Sequence, residues 1–111
     1  MKKISYRDFT AVEIRAGKII KVQDFPRARK LAYKLWIDFG SFGIKKSSAQ
    51  IARLYKKEDL LDRLVVAVIN LHPKQVADFM SEVLVLGVFL DNDEVALLNT
   101  DQKVPLGSRV L

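Results

Sequence analysis

The chain predicts a mainly β fold: a five-stranded Greek-key barrel with a helix between strands three and four and short extra strands at its C-terminus. Three observations carry this. Tyr33, Leu35, Ile37 and Phe39 alternate with Lys34, Trp36 and Asp38, the period of two that sends one set of side chains to each face of a strand. Gly40-Ser41-Phe42-Gly43 follows, with two residues free to take the positive φ of a hairpin connection. After Ile44-Lys45-Lys46, Ser47 and Gln50 stand at capping-box spacing. Ile51, Leu54 and Tyr55 then form one apolar stripe, predicting a helix over Ser47–Tyr55. A small β unit plugged by a helix is how a five-stranded OB barrel is built.

The other elements follow in order. Ser5 is placed to cap a short helix or turn over Tyr6-Arg7-Asp8-Phe9. Val12 to Val22 reads as the first long strand, with Gly17 marking a bulge or bend where one strand serves two sheets. Asp24 to Lys30 is a loop, broken by Pro26. Leu64 to Asn70 is nearly continuous in β-branched residues, a strand buried on both faces. Leu71 to Met80 is expected to be a ten-residue connection. Val83–Leu86 and Val88–Leu90 supply the fifth strand and its continuation, Asp91-Asn92-Asp93 a turn, and Glu94–Leu98 a further strand. Val104-Pro105-Leu106-Gly107 is a turn before a last short extended piece.

At 111 residues the chain fits a single domain, residues 1–111. Half of it is apolar and 29% charged, a globular composition. No apolar run approaches the ~20 residues of a membrane span. Met1-Lys2-Lys3 leads into polar sequence and not into a signal-peptide core. The expectation is a cytoplasmic protein without membrane insertion. The absence of cysteine excludes disulfides, thiolate catalysis and cysteine-ligated metals.

Charge is unevenly spread. Residues 1–57 hold 15 Lys or Arg against 4 Asp or Glu, whereas residues 58–111 hold 4 against 9. Such asymmetry points to a basic face able to attract a polyanion. The bland alternative is that both halves interleave in one barrel and their fields partly cancel.

The search for catalysis is negative. His72 is the only histidine, without metal-ligand spacing around it, and no nucleophile elbow, P-loop or dinucleotide fingerprint is present. No enzyme activity, cofactor or metal is expected. OB barrels read nucleic acid with the strand 2–3 face and with the loops joining strands 1–2 and 4–5. Arg27, Arg29, Lys30, Lys34, Lys45, Lys46 and Lys74 all fall in those segments, a placement that suits phosphate tracking. Lys45 and Lys46 extend that surface towards the expected helix start at Ser47, whose free N–H groups would favour an anion. Trp36 either stacks a base or packs against a loop, a helix or a partner subunit. Phe42 at the hairpin tip and Phe79 in the long connection are further stacking candidates.

Several motifs carry a resemblance. Lys46-Ser47-Ser48-Ala49-Gln50-Ile51 and Ser81-Glu82-Val83-Leu84-Val85-Leu86-Gly87 resemble the CsaA proteins. These are free-standing members of the tRNA-binding OB-fold superfamily, whose relatives are appended to methionyl-tRNA synthetases. Ile14-Arg15-Ala16-Gly17, Ile37-Asp38-Phe39-Gly40 and Val104-Pro105-Leu106-Gly107-Ser108 match in order and spacing. The resemblance implies a homodimeric, non-catalytic OB-fold protein that binds tRNA and is associated with chaperone activity in protein export. It places the tRNA-contacting serine at Ser81. Leu84 matches the CsaA branch, while Asp78 and Met80 depart from the family's glycine and frequent lysine.

Two functional classes remain open, beside the bland option of a structural partner protein whose basic loops are only solvated. One is an RNA-binding module gripping tRNA through cationic loops. The other is a chaperone capturing unfolded or presecretory polypeptide in an apolar groove, with Trp36, Phe79 and Met80 contributing at a dimer seam. Val83–Leu90 and Val95–Leu98 hold more apolar residues than a small barrel interior needs, which favours a homodimer.

Overall fold

The computed structural model describes all residues 1–111. Helix α1 spans Tyr6–Thr10, capped as expected by Ser5, whose hydroxyl accepts the Asp8 N–H at 3.0 Å. The barrel strands are β1 (Ile14–Asp24), β2 (Tyr33–Asp38), β3 (Ile44–Ala49) and, after the short helix α2 (Lys57–Leu60), β4 (Leu64–Val68). A hairpin of β5 (Lys74–Val76) and β6 (Phe79–Ser81) precedes the fifth barrel strand, β7 (Leu84–Val85). A second hairpin, β8 (Gly87–Phe89) and β9 (Val95–Leu97), follows. The main sheet runs β3-β2-β1-β4-β7, all antiparallel, and curls into a nearly closed OB-type barrel.

Strand β1 serves two neighbours. Ile14–Lys18 pair with β4 and Lys18–Asp24 with β2, and the register slips at Ile20. Gly17 is not itself the bulge. A Cβ there would lie 2.6 Å from Phe39 Cε1 and 2.7 Å from Ile37 Cγ2, so the glycine admits the Phe39 ring against the backbone. The core holds Ile19, Leu35, Ile37, Phe39, Leu60, Val65 and Ala67, all essentially solvent-free. The β2–β3 connection turns through Gly40 (φ 66°) and Gly43 (φ 85°), as their spacing demands.

The helix between strands three and four is real but displaced. The expected Ser47–Tyr55 helix does not form: β3 continues through Ala49, and the helical turn is Lys57–Leu60. Ser47 is a buried strand residue opposite Leu35, and its hydroxyl donates to Val83 O at 2.9 Å. The local capping signal loses because β3 is held from both sides. Opposite β2, Lys46 O accepts from Glu82 N at 2.8 Å, and the Lys46 N–H donates to the Glu82 carboxylate at 2.9 Å. The anion-binding helix start at Ser47 is therefore absent. The long connection Leu71–Met80 is likewise not a plain loop, since it contains β5 and most of β6.

The C-terminal segment is tied to the start of β1. Glu13 accepts from Arg15 at 2.7 Å and pairs with Arg109 at 2.8 Å, while Arg15 also donates to Gly107 O at 3.2 Å. The hydrogen bond from Arg15, with the charge of Arg109, holds the Glu13 carboxyl below its ordinary range. No helix is long and apolar enough to cross a membrane.

Candidate nucleic-acid interface

An open groove of about 970 Å³ lies where the β1–β2 loop meets the β5–β6 hairpin. Arg27, Arg29 and Lys30 of the β1–β2 loop and Lys74 of β5 line it, together with Ser48 and Ser81. Segments far apart in sequence are thus gathered into one concave basic surface. Arg29, Lys30 and Lys74 are exposed, the state in which a cation serves a phosphate at least desolvation cost. Ser81 Oγ accepts the Ser48 N–H at 3.0 Å, which leaves its own proton free to donate. Arg27 is partly spoken for, because its guanidinium meets the Asp78 carboxylate at 3.3 Å.

The loop and hairpin are held by an aromatic anchor beneath them. Phe79 is buried, with the Phe25 ring at 5.6 Å and the Trp36 ring at 5.7 Å, both edge-on. These geometries suit the ring quadrupole and add to the burial itself. Lys34 Nζ lies over both Phe25 (4.9 Å) and Phe79 (5.4 Å), and Lys46 Nζ lies 5.3 Å from the Phe79 centroid. Phe79 is thus enclosed and offers no open face on which a base could stack.

Strand alternation separates two neighbouring lysines. Lys46 pairs with Trp36 on the outer face, whereas Lys45 pairs with Ile37, whose side chain points inward. Lys34 and Lys46 share the outer face with Trp36, beside the groove and outside its lining. Lys21 joins them, its ammonium 4.5 Å from the Trp36 ring. The bulge at Ile20 brings Lys21 opposite Trp36, and a bulge has no reliable mark in the sequence. Phe42 stands at the far hairpin tip under the Arg15 guanidinium at 4.7 Å, away from the groove. Met80 is exposed on β6 without lining the groove.

The groove also takes in Gln50, His72 and Gln75. Gln50 reads in the sequence as a helix cap and His72 as an ordinary loop histidine. The one available signal is that His72 lies two residues before Lys74. Beside the groove, sharing Ser48, Gln50 and Leu84, runs a smaller apolar crevice of about 380 Å³ lined by Ile51, Val85, Phe89 and Val95 among others.

The chain has clear relatives among known proteins. Residues 14–109 match the family described as "Putative tRNA binding domain". The chaperone CsaA of Bacillus anthracis superposes with a TM-score of 0.94 at 41% identity, covering 99% of this chain and 100% of that one. CsaA of Picrophilus torridus gives 0.91 at 48%, covering 98% and 100%. A methionine–tRNA ligase of Pyrococcus furiosus is 40% identical over 110 residues, 99% of this chain. The chain spans only about 15% of that ligase's length. With nearly all of its length matched and a basic groove on an OB-type barrel, the chain belongs to the tRNA-binding domain family.

Proposed function

We propose that residues 1–111 act as one non-catalytic, cytoplasmic tRNA-binding domain, its groove holding tRNA phosphates between the β1–β2 loop and the β5–β6 hairpin. The supporting observation is the convergence of Arg27, Arg29, Lys30 and Lys74 with Ser48 and Ser81 around one cavity. In this reading the cations clamp phosphates, Lys34 and Lys46 extend the field along the outer sheet face, and Ser81 donates one short-range hydrogen bond. Lys45 adds charge from the barrel edge.

A gel-shift titration with total tRNA at two salt concentrations tests this, since each clamped phosphate releases counterions. Lys46→Ala should weaken binding at low salt and flatten the salt slope by about one counterion. Ser81→Ala should weaken binding by roughly 1 kcal/mol, the net value of a neutral hydrogen bond, and leave the slope unchanged. It should also lower folding stability by roughly 1 kcal/mol, because the Ser48 N–H loses its acceptor; its affinity is therefore compared per folded molecule. Binding that is unaffected by salt and by both substitutions would refute the groove.

A second reading makes unfolded or presecretory polypeptide the main ligand, as in a chaperone serving protein export. The apolar crevice beside the groove is the observation that favours it, a crevice whose Leu84 and Phe89 put it, in this reading, at the edge of a dimer seam and not on a free face. Peptide capture there would survive added salt, as apolar burial does.

We further propose a homodimer. Leu84, Val88, Phe89, Leu90 and Leu98 are exposed along β7–β9, Phe89 by 84%, an apolar surface of the kind partner subunits cover. Light scattering at micromolar concentration should give twice the chain mass, and Phe89→Glu should return the protein to monomer.

A further inference from the structure

We propose that Asp78 is an internal competitor for ligand phosphate at Arg27, and so sets which anions the groove accepts. The proposal rests on the groove being the tRNA site. Asp78 lies at the tip of the β5–β6 hairpin, just outside the groove lining, and Arg27 in the β1–β2 loop lines it; their 3.3 Å ion pair joins the two segments at the rim. The backbone beneath the pair is fixed. Phe25 and Phe79, buried and in edge contact, hold the two segments together two residues before Arg27 and one after Asp78. The turn between β5 and β6 is held by the Gln75 amide, which donates to Ala77 O at 3.0 Å.

The paired side chains themselves are open to solvent, Arg27 being 72% exposed and Asp78 45%. An ion pair this exposed gains little from its own attraction, since water and salt screen it. Exchanging carboxylate for phosphate therefore needs side-chain rotation only, with no movement of loop or hairpin. The released carboxylate remains beside the incoming anion and repels it. A single small anion is held by one cation and meets that repulsion. A polyanion that engages Arg29, Lys30 and Lys74 in the same event offsets it. Asp78 thus biases the groove towards extended phosphate backbones.

The test is a double-mutant cycle with total tRNA as probe: the native protein, Asp78→Asn, Arg27→Gln and both together, at two salt concentrations. Lys30→Gln serves as a separate groove control. Asp78→Asn should tighten binding roughly five-fold at low salt and steepen the salt slope by about one counterion. In the Arg27→Gln background the same change should alter affinity less than about two-fold, because the partner it frees is gone. Arg27→Gln alone should weaken binding less than Lys30→Gln does. The thermal midpoint of Asp78→Asn should stay that of the native protein. An equal gain in both backgrounds would make Asp78 a mere through-space repulsion and overturn the proposal. So would no gain at all. If Lys30→Gln also changes nothing, the groove reading itself falls; if Lys30→Gln weakens binding while Asp78→Asn does nothing, only the competitor falls.

Discussion

Replacing Phe79 with Ala should lower the unfolding free energy by about 3 kcal/mol, the low end of the range for a buried phenylalanine. The ring is 6% exposed and is the middle member of the edge-to-face Phe25–Phe79–Trp36 cluster. Its cluster is small, comprising Phe25, Ala32 and Phe79 with partly buried neighbours, so partial collapse keeps the cost from the top of the range. Lys34 and Lys46 would also lose the aromatic face their ammonium groups lie over, which removes a further fraction of a kcal/mol at such partly exposed sites. A urea titration should show the midpoint falling with the m-value unchanged. Phe79→Leu, which refills most of the volume, should recover a large part of the loss. A base-stacking role would give the opposite pattern: unchanged midpoint, and weaker tRNA binding per folded molecule. An unchanged midpoint would therefore remove Phe79 from the anchor.

How far the sequence reveals this fold depends on whether a signal is local. The alternation of Tyr33, Leu35, Ile37 and Phe39 appears in the structure as alternating burial along β2. Gly40 and Gly43 occupy positive φ, and the apolar run at Leu64–Val68 is a buried strand. Each of these depends only on near neighbours. The Ser47–Gln50 capping box is local too, yet it fails. A cap contributes about 1 kcal/mol, and it competes with a full ladder to β2 plus the bonds that Lys46 N–H and the Ser47 hydroxyl donate to Glu82 and Val83, 36 residues away. The β5–β6 hairpin leaves no such mark because its turn is Ala77-Asp78, with Ala77 rather than glycine at φ 51°. No sequence rule favours alanine there.

The segments that line the groove are legible in the sequence as cation-rich loops, and the surface they form is not. The loops expected to contain Arg27, Arg29, Lys30 and Lys74 do meet around one cavity. Which of the remaining lysines join them depends on face and register. Lys45 and Lys46 are adjacent in sequence, but strand alternation puts them on opposite sides of β3. The pairing of Arg27 with Asp78 depends on a hairpin the sequence did not announce.

The largest functional effect should come from removing the three groove cations that have no ion-pair partner within the chain, Arg29, Lys30 and Lys74. With all three changed to Ala, tRNA affinity near 0.1 M salt should fall roughly a few hundred-fold, about eight-fold for each phosphate no longer clamped. The log–log salt slope should flatten by about two to three. Folding stability should stay within about 0.5 kcal/mol of the native protein, because all three side chains are exposed. A matched control separates a site from bulk charge. Changing Lys2, Lys3 and Lys103 to Ala removes the same three charges from exposed positions outside the groove. If the net charge of +6 acts as a diffuse field, both triple variants should lose affinity and salt slope alike. If the groove clamps phosphates, the control should lose only the small long-range part, which is screened beyond the ~10 Å Debye length at that salt. Equal losses in the two variants would mean that binding follows total charge and not the concave surface formed by the β1–β2 loop and the β5–β6 hairpin.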